Sequence, residues 1–221
     1  MLGIVMLDTV FPRPVGDIGN PATFPFPTRA LRVPKASPEK VIFGGASGLV
    51  DGFVAAARQL EAEGCRAIVT SCGFLALHQQ TIAAAVNVPF ASSSLCWLPT
   101  LYNAFGGARH VGILTASGAS LGEAHLSALG GSMDSPIVGM PTDSEFARVI
   151  MRDAPQGDME QVHREIVAAA EQLVAQQPQV RAILLECTNM PPCAATIAEK
   201  TGRPVFDLVG LARLMMGQAP V

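Results

Sequence analysis

The sequence predicts an α/β fold made of two pseudo-symmetric half-domains, each with a parallel sheet, and three observations support this prediction. The chain has 221 residues, of which 49% are hydrophobic and 15% are charged, a composition typical of a compact and well-buried protein. Short apolar runs alternate with amphipathic helical patterns, which is the order that builds parallel sheets. Residues 66–90 and 181–205 align without gaps and share eight identities in twenty-five, which indicates a duplicated unit. We therefore expect two related halves with the active site between them.

The duplication also divides the chain. We expect residues 1–95 to form the first half and residues 96–206 the second, while a C-terminal helix within residues 207–221 returns to the first half. No linker-like stretch separates the two halves, so they should pack against each other.

The first half begins with an apolar run at residues 3–7, "GIVML", which predicts a strand ending before Asp8. Residues 9–38 follow, with seven prolines and little periodicity, and loops of this length are often lids or binding loops. Residues 49–63 carry apolar side chains at helical spacing and end at Gly64. The other elements predicted here are a strand at 67–71, a helix at 76–86, a strand at 88–91 and a helix starting within 95–105.

The second half repeats this alternation. "HVGILTAS" at 110–117 predicts a strand, and residues 158–176 place Val162, Ile166 and Leu173 on one face of a helix. The other predicted elements are a helix near 120–129, a strand at 181–186, a helix at 193–201, a strand at 204–206 and a helical tail at 207–217.

Charge and composition exclude several classes of protein. The net charge is −3 and Lys and Arg are scattered singly, so neither nucleic acid nor an anionic membrane is an expected partner. No apolar run approaches the roughly 20 residues of a membrane span, and "LGIVML" is too short for a signal-peptide core, so we expect a cytoplasmic protein. Its five cysteines are then expected to be reduced. Their spacing matches no zinc site, so no metal is expected.

The two cysteines at matching offsets in the repeats are the candidate catalytic residues. Cys72 and Cys187 each follow a predicted strand, and ligands of parallel α/β folds bind at the carboxyl ends of strands. Each also lies near the start of the next helix, where N–H groups and the helix dipole favour a thiolate. A free thiol has a pKa of about 8.5, so a modest shift would make it a base near neutrality. Two thiols on opposite sides of one ligand could remove a proton from one face of a stereocentre and deliver one to the other, which is racemisation.

Several other residues are candidates for binding the substrate. Asp8 could orient or accept a proton near the site, or cap the following turn. Thr23, in the proline-rich loop, could contact the ligand. Gly73 and Phe74 follow Cys72 and make this side of the site more apolar. The neutral groups that could hold a carboxylate or carbonyl are Ser71, Ser92, Ser93, Thr115, Ser117, Thr188 and Asn189.

Two motifs resemble those of a known family. "LLECTNMPP" at 184–192 resembles the second cysteine motif of the aspartate/glutamate racemase superfamily, whose members include hydantoin racemases, arylmalonate decarboxylase and maleate isomerase. "GDIGNPATF" at 16–24 loosely resembles the loop after the first strand in its aspartate-racemase-like members. The resemblance spans the chain and implies cofactor-independent catalysis by Cys72 and Cys187.

The chain also departs from the glutamate racemase pattern. Gly73 and Phe74 stand where glutamate racemases usually carry Asn and Thr, and Asn189 stands where they usually carry His or Glu. The expected substrate is therefore an amino acid or a related 2-substituted acid, with an uncommon amino-acid derivative or a hydantoin at least as well supported as glutamate.

We predict a cofactor-independent racemase or epimerase, an isomerase that acts on a carbon next to a carboxylate or carbonyl. Its partner is a small-molecule carboxylate or amide substrate, and the sequence leaves a homo-oligomer open. Three alternatives stay open as well: a cis–trans isomerase in which Cys72 adds to a double bond, a decarboxylase on the same fold, and a non-catalytic protein that binds small acids.

Overall fold

Two four-stranded parallel sheets organise the protein in a computed structural model, which describes residues 1–218. The first sheet contains β1 (Leu2–Met6), β2 (Thr28–Arg32), β3 (Ala67–Thr70) and β4 (Phe90–Ala91), and the second contains β5 (Val111–Thr115), β6 (Ile137–Gly139), β7 (Ala182–Leu185) and β8 (Val205–Phe206). The strand orders are β2-β1-β3-β4 and β6-β5-β7-β8, so the second sheet repeats the first strand for strand. The predicted α/β fold with two parallel-sheet halves is confirmed.

The inner strands of both sheets are buried along their whole length. Every residue of β1, β3, β5 and β7 is buried. Apolar residues fill these strands without alternation because helices cover both faces of each sheet. The carboxyl ends of β3 and β7 lead directly to the two cysteines that the repeats predict.

The helices predicted from apolar spacing are present. α2 (Val50–Ala62) buries Phe53 and Leu60. α6 (Met159–Gln176) begins at Asp158, whose carboxylate accepts a hydrogen bond from the Gln161 N–H at 2.9 Å, as expected of an N-cap. No helix within residues 1–218 has both the length and the apolar character needed to cross a membrane. The other helices are α1 (Pro38–Ile42), α3 (Gln79–Ala83), α4 (Leu98–Phe105), α5 (Glu123–Ser127), α7 (Ala194–Thr201) and α8 (Leu208–Met215).

The segment 9–38 is not the featureless loop that the sequence predicts. It contains β2, which pairs with β1, and a short 3₁₀ turn at Pro21–Thr23. β2 escaped prediction because it is an edge strand with two arginines and no buried residue, and charged side chains are typical of strands that protect a sheet edge.

The helix predicted at 76–86 is shorter and tighter than expected. Its first turn, Gly73–His78, is a 3₁₀ helix, and only Gln79–Ala83 is α-helical. A 3₁₀ helix at Pro191–Cys193 likewise separates Cys187 from α7. Neither cysteine therefore lies at the first turn of an α-helix.

The C-terminal helix packs against the first sheet. Leu208 and Ala212 of α8 share a buried apolar cluster with Leu2, Ile4 and Val69. The helix therefore crosses from the second half to cover the outer face of the first.

Candidate active site

A narrow cavity lies between the two halves, and the free space inside it, about 20 Å³, is enough for one water molecule. The turns after β3 and β7 form its floor, and α1 and the segment after β1 form part of its wall. Most of the lining is apolar. The apolar side chains are Leu7, Phe11, Pro38, Ile42, Phe74, Ala116 and Ile150.

Both candidate catalytic cysteines line this cavity, and both are free thiols. Cys72 is 8% exposed and Cys187 is 7% exposed. The Thr188 hydroxyl donates to the Ser71 carbonyl oxygen at 2.7 Å, so a buried hydrogen bond joins the two cysteine turns. The duplication thus brings two equivalent thiols, one from each half, to one enclosed space.

The surroundings of both cysteines disfavour the thiolate, contrary to the sequence-based expectation. Burial, together with the nearby Glu186, raises the pKa of Cys72 to about 12, against the lowering effects of the Phe74 N–H and of Arg13. Burial and Glu186 also raise the pKa of Cys187 well above its ordinary value. The prediction failed because the turns after the cysteines are short 3₁₀ helices, whose N–H groups do not offset desolvation.

Glu186 is a charged group in this site that the sequence reasoning missed. Its side chain is fully buried, one carboxylate oxygen accepts a hydrogen bond from the Thr115 hydroxyl at 2.7 Å, and the other, Oε1, has no partner. Burial raises the pKa of Glu186 to about 7. A Cβ atom at Gly73 would overlap Oε1, so only glycine at position 73 leaves room for this carboxyl. The available signal was an acidic residue directly after the buried strand "AILL".

Arg13 is the one basic residue among the described residues that line the cavity. Its guanidinium donates to Asp17 at 2.8 Å and lies over the Phe11 ring, 4.2 Å from the centroid. Asp17 is 1% exposed and also accepts from the Asn189 amide at 2.7 Å. This network ties the loop after β1 to the turn that carries Cys187. The aperiodic loop sequence gave no signal for either charge.

Five predicted binding residues line the cavity together with the cysteines. The Asn189 Oδ1 atom lies 3.5 Å from the Cys187 sulfur and accepts its hydrogen bond. The hydroxyl of Ser71 is already engaged, because it accepts from the Leu7 N–H at 2.8 Å. The five are Ser71, Gly73, Phe74, Thr188 and Asn189.

The other predicted binding residues do not line the cavity. Asp8 is exposed and accepts from the Lys35 N–H at 3.1 Å, which places its carboxylate in a turn. Thr23 is buried, and its hydroxyl accepts from the Gly16 N–H and donates to the Asp17 carbonyl, so it shapes the loop that carries Arg13. The residues outside the lining are Asp8, Thr23, Ser92, Ser93, Thr115 and Ser117.

The described residues were also compared with the requirements of a metal site. Across residues 1–218, no group of three or more His, Cys, Asp or Glu side chains is arranged to hold a metal ion.

A side chain of the second half fastens the loop that closes the cavity. The Asp153 carboxylate accepts from the N–H groups of Val10 and Phe11 at 2.7 and 3.1 Å, and Phe11 lines the cavity. Asp153 itself has a left-handed backbone, with φ +56°. The contact joins the loop to the opposite half, and that the loop acts as a lid stays a prediction.

We expect Asp153→Gly to loosen this loop. Glycine adopts a left-handed backbone without strain, and each lost hydrogen bond to a charged group is worth about 1.5–3 kcal/mol. Hydrogen–deuterium exchange at the Val10 and Phe11 amides should therefore accelerate by roughly tenfold or more. Asp8→Ala, which removes an exposed carboxylate from the same region, is the control and should leave these amides unchanged. Equal exchange in the wild type and Asp153→Gly would show that Asp153 does not hold the loop.

Comparison with known proteins gives a consistent set of similarities. Residues 44–213 match the Asp/Glu/hydantoin racemase family. A dimethylsulfoniopropionate lyase from Durusdinium sp. clade D is 32% identical over 94% of this chain and 71% of that protein. Dimethylsulfoniopropionate lyase 7 from Emiliania huxleyi is 29% identical over 94% of this chain and 64% of that protein, so the chain spans about two thirds of these relatives.

Solved structures agree on the fold. Arylmalonate decarboxylase superposes with a TM-score of 0.60 at 17% identity, over 92% of this chain and 86% of that chain. An aspartate racemase homologue from Pyrococcus horikoshii superposes with a TM-score of 0.55 at 18% identity, over 98% of this chain and 97% of that chain. At these identities the likeness concerns the fold alone.

Proposed function

The chain belongs to the Asp/Glu/hydantoin racemase family, and we propose that it is a lyase that cleaves a β-sulfonio carboxylate of the dimethylsulfoniopropionate type. The observation that carries the proposal is the 32% identity to a dimethylsulfoniopropionate lyase over 94% of this chain. The residues that line the cavity support it.

Elimination from such a substrate starts with the same step as racemisation. A thiolate removes a proton from the carbon next to the carboxylate, and the electron pair of that C–H bond forms a carbon–carbon double bond. The bond from the β-carbon to sulfur breaks, and its electrons leave with sulfur as neutral dimethyl sulfide. Acrylate remains, the proton stays on the thiol, and no oxidant or reductant is needed. A two-thiol site therefore suits either reaction.

The charges around the cavity favour a substrate with a single carboxylate. Arg13 is the one cation in the described lining, so a dicarboxylic amino acid would leave one carboxylate without a cationic partner, which is costly in a buried site. A monocarboxylate can share the Arg13 guanidinium, which also donates to Asp17 and Thr9, while its dimethylsulfonium group packs against Phe74. Aromatic faces attract such ligand cations.

Cys72 is the better candidate for the base. The Phe74 N–H and Arg13 both favour its thiolate, although burial dominates its pKa. The Asn189 N–H likewise favours the thiolate of Cys187, but the charges of Cys72 and Asp17 oppose it. The Cys187 sulfur also donates its hydrogen to the Asn189 Oδ1 atom, and a hydrogen bond that uses the proton favours the thiol form. In the proposed reaction Cys72 takes the proton and Cys187 remains a thiol on the other side of the ligand.

Racemisation or epimerisation is the second candidate function, and one observation favours it. Two equivalent thiols line one cavity, whereas elimination requires a single base. Incubation in D₂O separates the candidates. The lyase releases dimethyl sulfide and acrylate in equal amounts from dimethylsulfoniopropionate, whereas a racemase inverts an amino acid and labels its α-carbon with deuterium. Inversion without release of dimethyl sulfide would replace the lyase proposal with racemisation, and neither release nor labelling would indicate a binding protein.

We expect Arg13→Gln to weaken substrate binding. A hydrogen bond to a charged group contributes about 1.5–3 kcal/mol, so KM should rise about 10- to 100-fold with a smaller change in kcat. Arg32→Gln is a matched control, because Arg32 is exposed and donates to the Thr9 carbonyl in the same region without lining the cavity. A KM in Arg13→Gln that equals that of Arg32→Gln would show that Arg13 does not bind the carboxylate.

A further inference from the structure

The Glu186 carboxyl is the one acidic group in the described lining of the cavity, and its role is not explained by the reaction above. It enters from the end of β7, is fully buried, and has a free oxygen, Oε1. A buried carboxylate without a cation or a hydrogen-bond donor at one oxygen is unfavourable. A proton on Oε1 would remove this cost.

The groups that face Glu186 limit where that proton can come from. The Thr115 hydroxyl on β5 already donates to Oε2, and the turn after β3 presents Gly73, which has no side chain. Arg13, across the cavity, is paired with Asp17. The remaining titratable groups in the lining are the thiols of Cys72 and Cys187, and the charge of Glu186 acts on both.

We propose that Glu186 accepts the proton of the Cys72 thiol, so that these two groups and Cys187 ionise as one cluster that holds a single negative charge. In this step the S–H bond of Cys72 breaks and an O–H bond forms at Oε1 of Glu186. Because Oε1 accepts no direct hydrogen bond, a water molecule in the cavity relays the proton. The negative charge moves from the carboxylate to the sulfur, and the net charge of the cavity does not change. The inference deepens the proposed function, on which it rests for the use of the thiolate as a base.

Proton transfer from Cys72 to Glu186 is favoured over release to solvent because it leaves the net charge of the cavity unchanged. A thiol that released its proton to solvent would place a second negative charge beside Glu186 in a buried site, and two like charges in such a site do not ionise together. Transfer inside the cluster avoids the second charge. Because Glu186 acts through the thiol, it is a positioning residue for the proton.

The pKa shifts agree with a cluster that titrates as one unit. Burial raises the pKa of Glu186 to about 7, while burial and Glu186 raise that of Cys72 to about 12. Such coupled groups lose protons in steps that belong to the cluster. Above about pH 7 the cluster carries one charge, shared between the carboxylate and a minor thiolate form. The fraction of thiolate should then stay constant until the second proton leaves.

Alkylation by iodoacetamide tests this, with the modified cysteine identified by peptide mass spectrometry. In the wild type, the alkylation rate of Cys72 should rise through about pH 7 and reach a plateau. In Glu186→Gln no internal acceptor exists, so the rate should have no plateau near pH 7 and should rise about tenfold per pH unit up to the pKa of the thiol. Cys193 is buried outside the cavity lining and serves as the internal reference with a tenfold slope in both proteins.

Two further variants keep the test decisive. Asp207→Asn changes a carboxyl at the start of α8 that does not line the cavity, and it should keep the wild-type plateau at Cys72. Glu186→Asp retains a carboxyl and should keep a plateau with a shifted midpoint, which decides the matter if Glu186→Gln does not fold. A wild-type rate that rises tenfold per pH unit without a plateau, or a plateau that persists in Glu186→Gln, overturns the proposal. Because no substrate is used, failure of the lyase function would leave this result intact.

Discussion

Cys72→Ser is expected to lower kcat for dimethyl sulfide release by about 10²–10⁴-fold, the usual effect of losing a positioned general base. A serine hydroxyl is far too weakly acidic to replace the thiolate. Cys187→Ser should reduce kcat by less than about tenfold, because elimination needs one base and serine can still donate a hydrogen bond to Asn189. Headspace gas chromatography of dimethyl sulfide gives the rates, with KM measured in parallel.

The same pair of variants distinguishes the two candidate functions. In a racemase every turnover uses one thiol as base and the other as acid, so both substitutions should abolish inversion of an amino acid. Each variant could still exchange the α-proton of one enantiomer, and the two should prefer opposite hands. Cys193→Ser, outside the cavity lining, is the control for loss of a buried thiol. Equal, large losses of lyase activity in Cys72→Ser and Cys187→Ser would contradict the single-base assignment.

The sequence predicted the paired cysteines because duplication leaves a visible trace. The alignment of the two 25-residue repeats places Cys72 and Cys187 at equivalent positions. Both positions follow the carboxyl end of a strand, β3 or β7, and this is the edge of a parallel sheet where ligands bind. The central strands could also be predicted from the sequence, since a strand that is buried on both faces requires a continuous apolar run. The edge strands β2 and β6 were not, because they are short or charged and carry little periodicity.

The charged groups of the site could not be found in the same way. Arg13 and Asp17 lie in an aperiodic loop, and only the folded chain shows that they meet each other and Asn189. Glu186 is a single acidic residue after a strand. Its raised pKa and its place in the site depend on burial by other elements of the fold, which the sequence does not show. The thiol pKa values were predicted in the wrong direction for the same reason, since desolvation is a property of the assembled cavity.

Gly73→Ala is expected to have the second largest effect, on stability and on activity together. The added Cβ would overlap both the Oε1 atom and the carbonyl oxygen of Glu186. Overpacking of a buried contact typically costs about 1–3 kcal/mol in the free energy of unfolding. The displaced carboxyl would also no longer lie beside Cys72, and a misplacement of about 1 Å in a catalytic arrangement can lower the rate by roughly 100-fold. Urea unfolding and the rate of dimethyl sulfide release measure the two effects.

Gly210→Ala is the control for Gly73→Ala. It shows how replacing a half-buried glycine by alanine changes stability and activity where the added Cβ overlaps nothing. Gly210 lies in α8, and a Cβ there would meet the Asp207 carboxylate at an ordinary contact distance of 3.5 Å. Alanine is favoured over glycine inside a helix by about 0.5–1 kcal/mol, so this variant should be as stable as the wild type or more so, with unchanged activity. For Gly73→Ala the decisive comparison is made well below its urea midpoint, where the protein is folded. Full activity of the folded Gly73→Ala protein would show that the position of Glu186 beside Cys72 is unimportant for the reaction, whereas a 100-fold loss places the carboxyl within the working site.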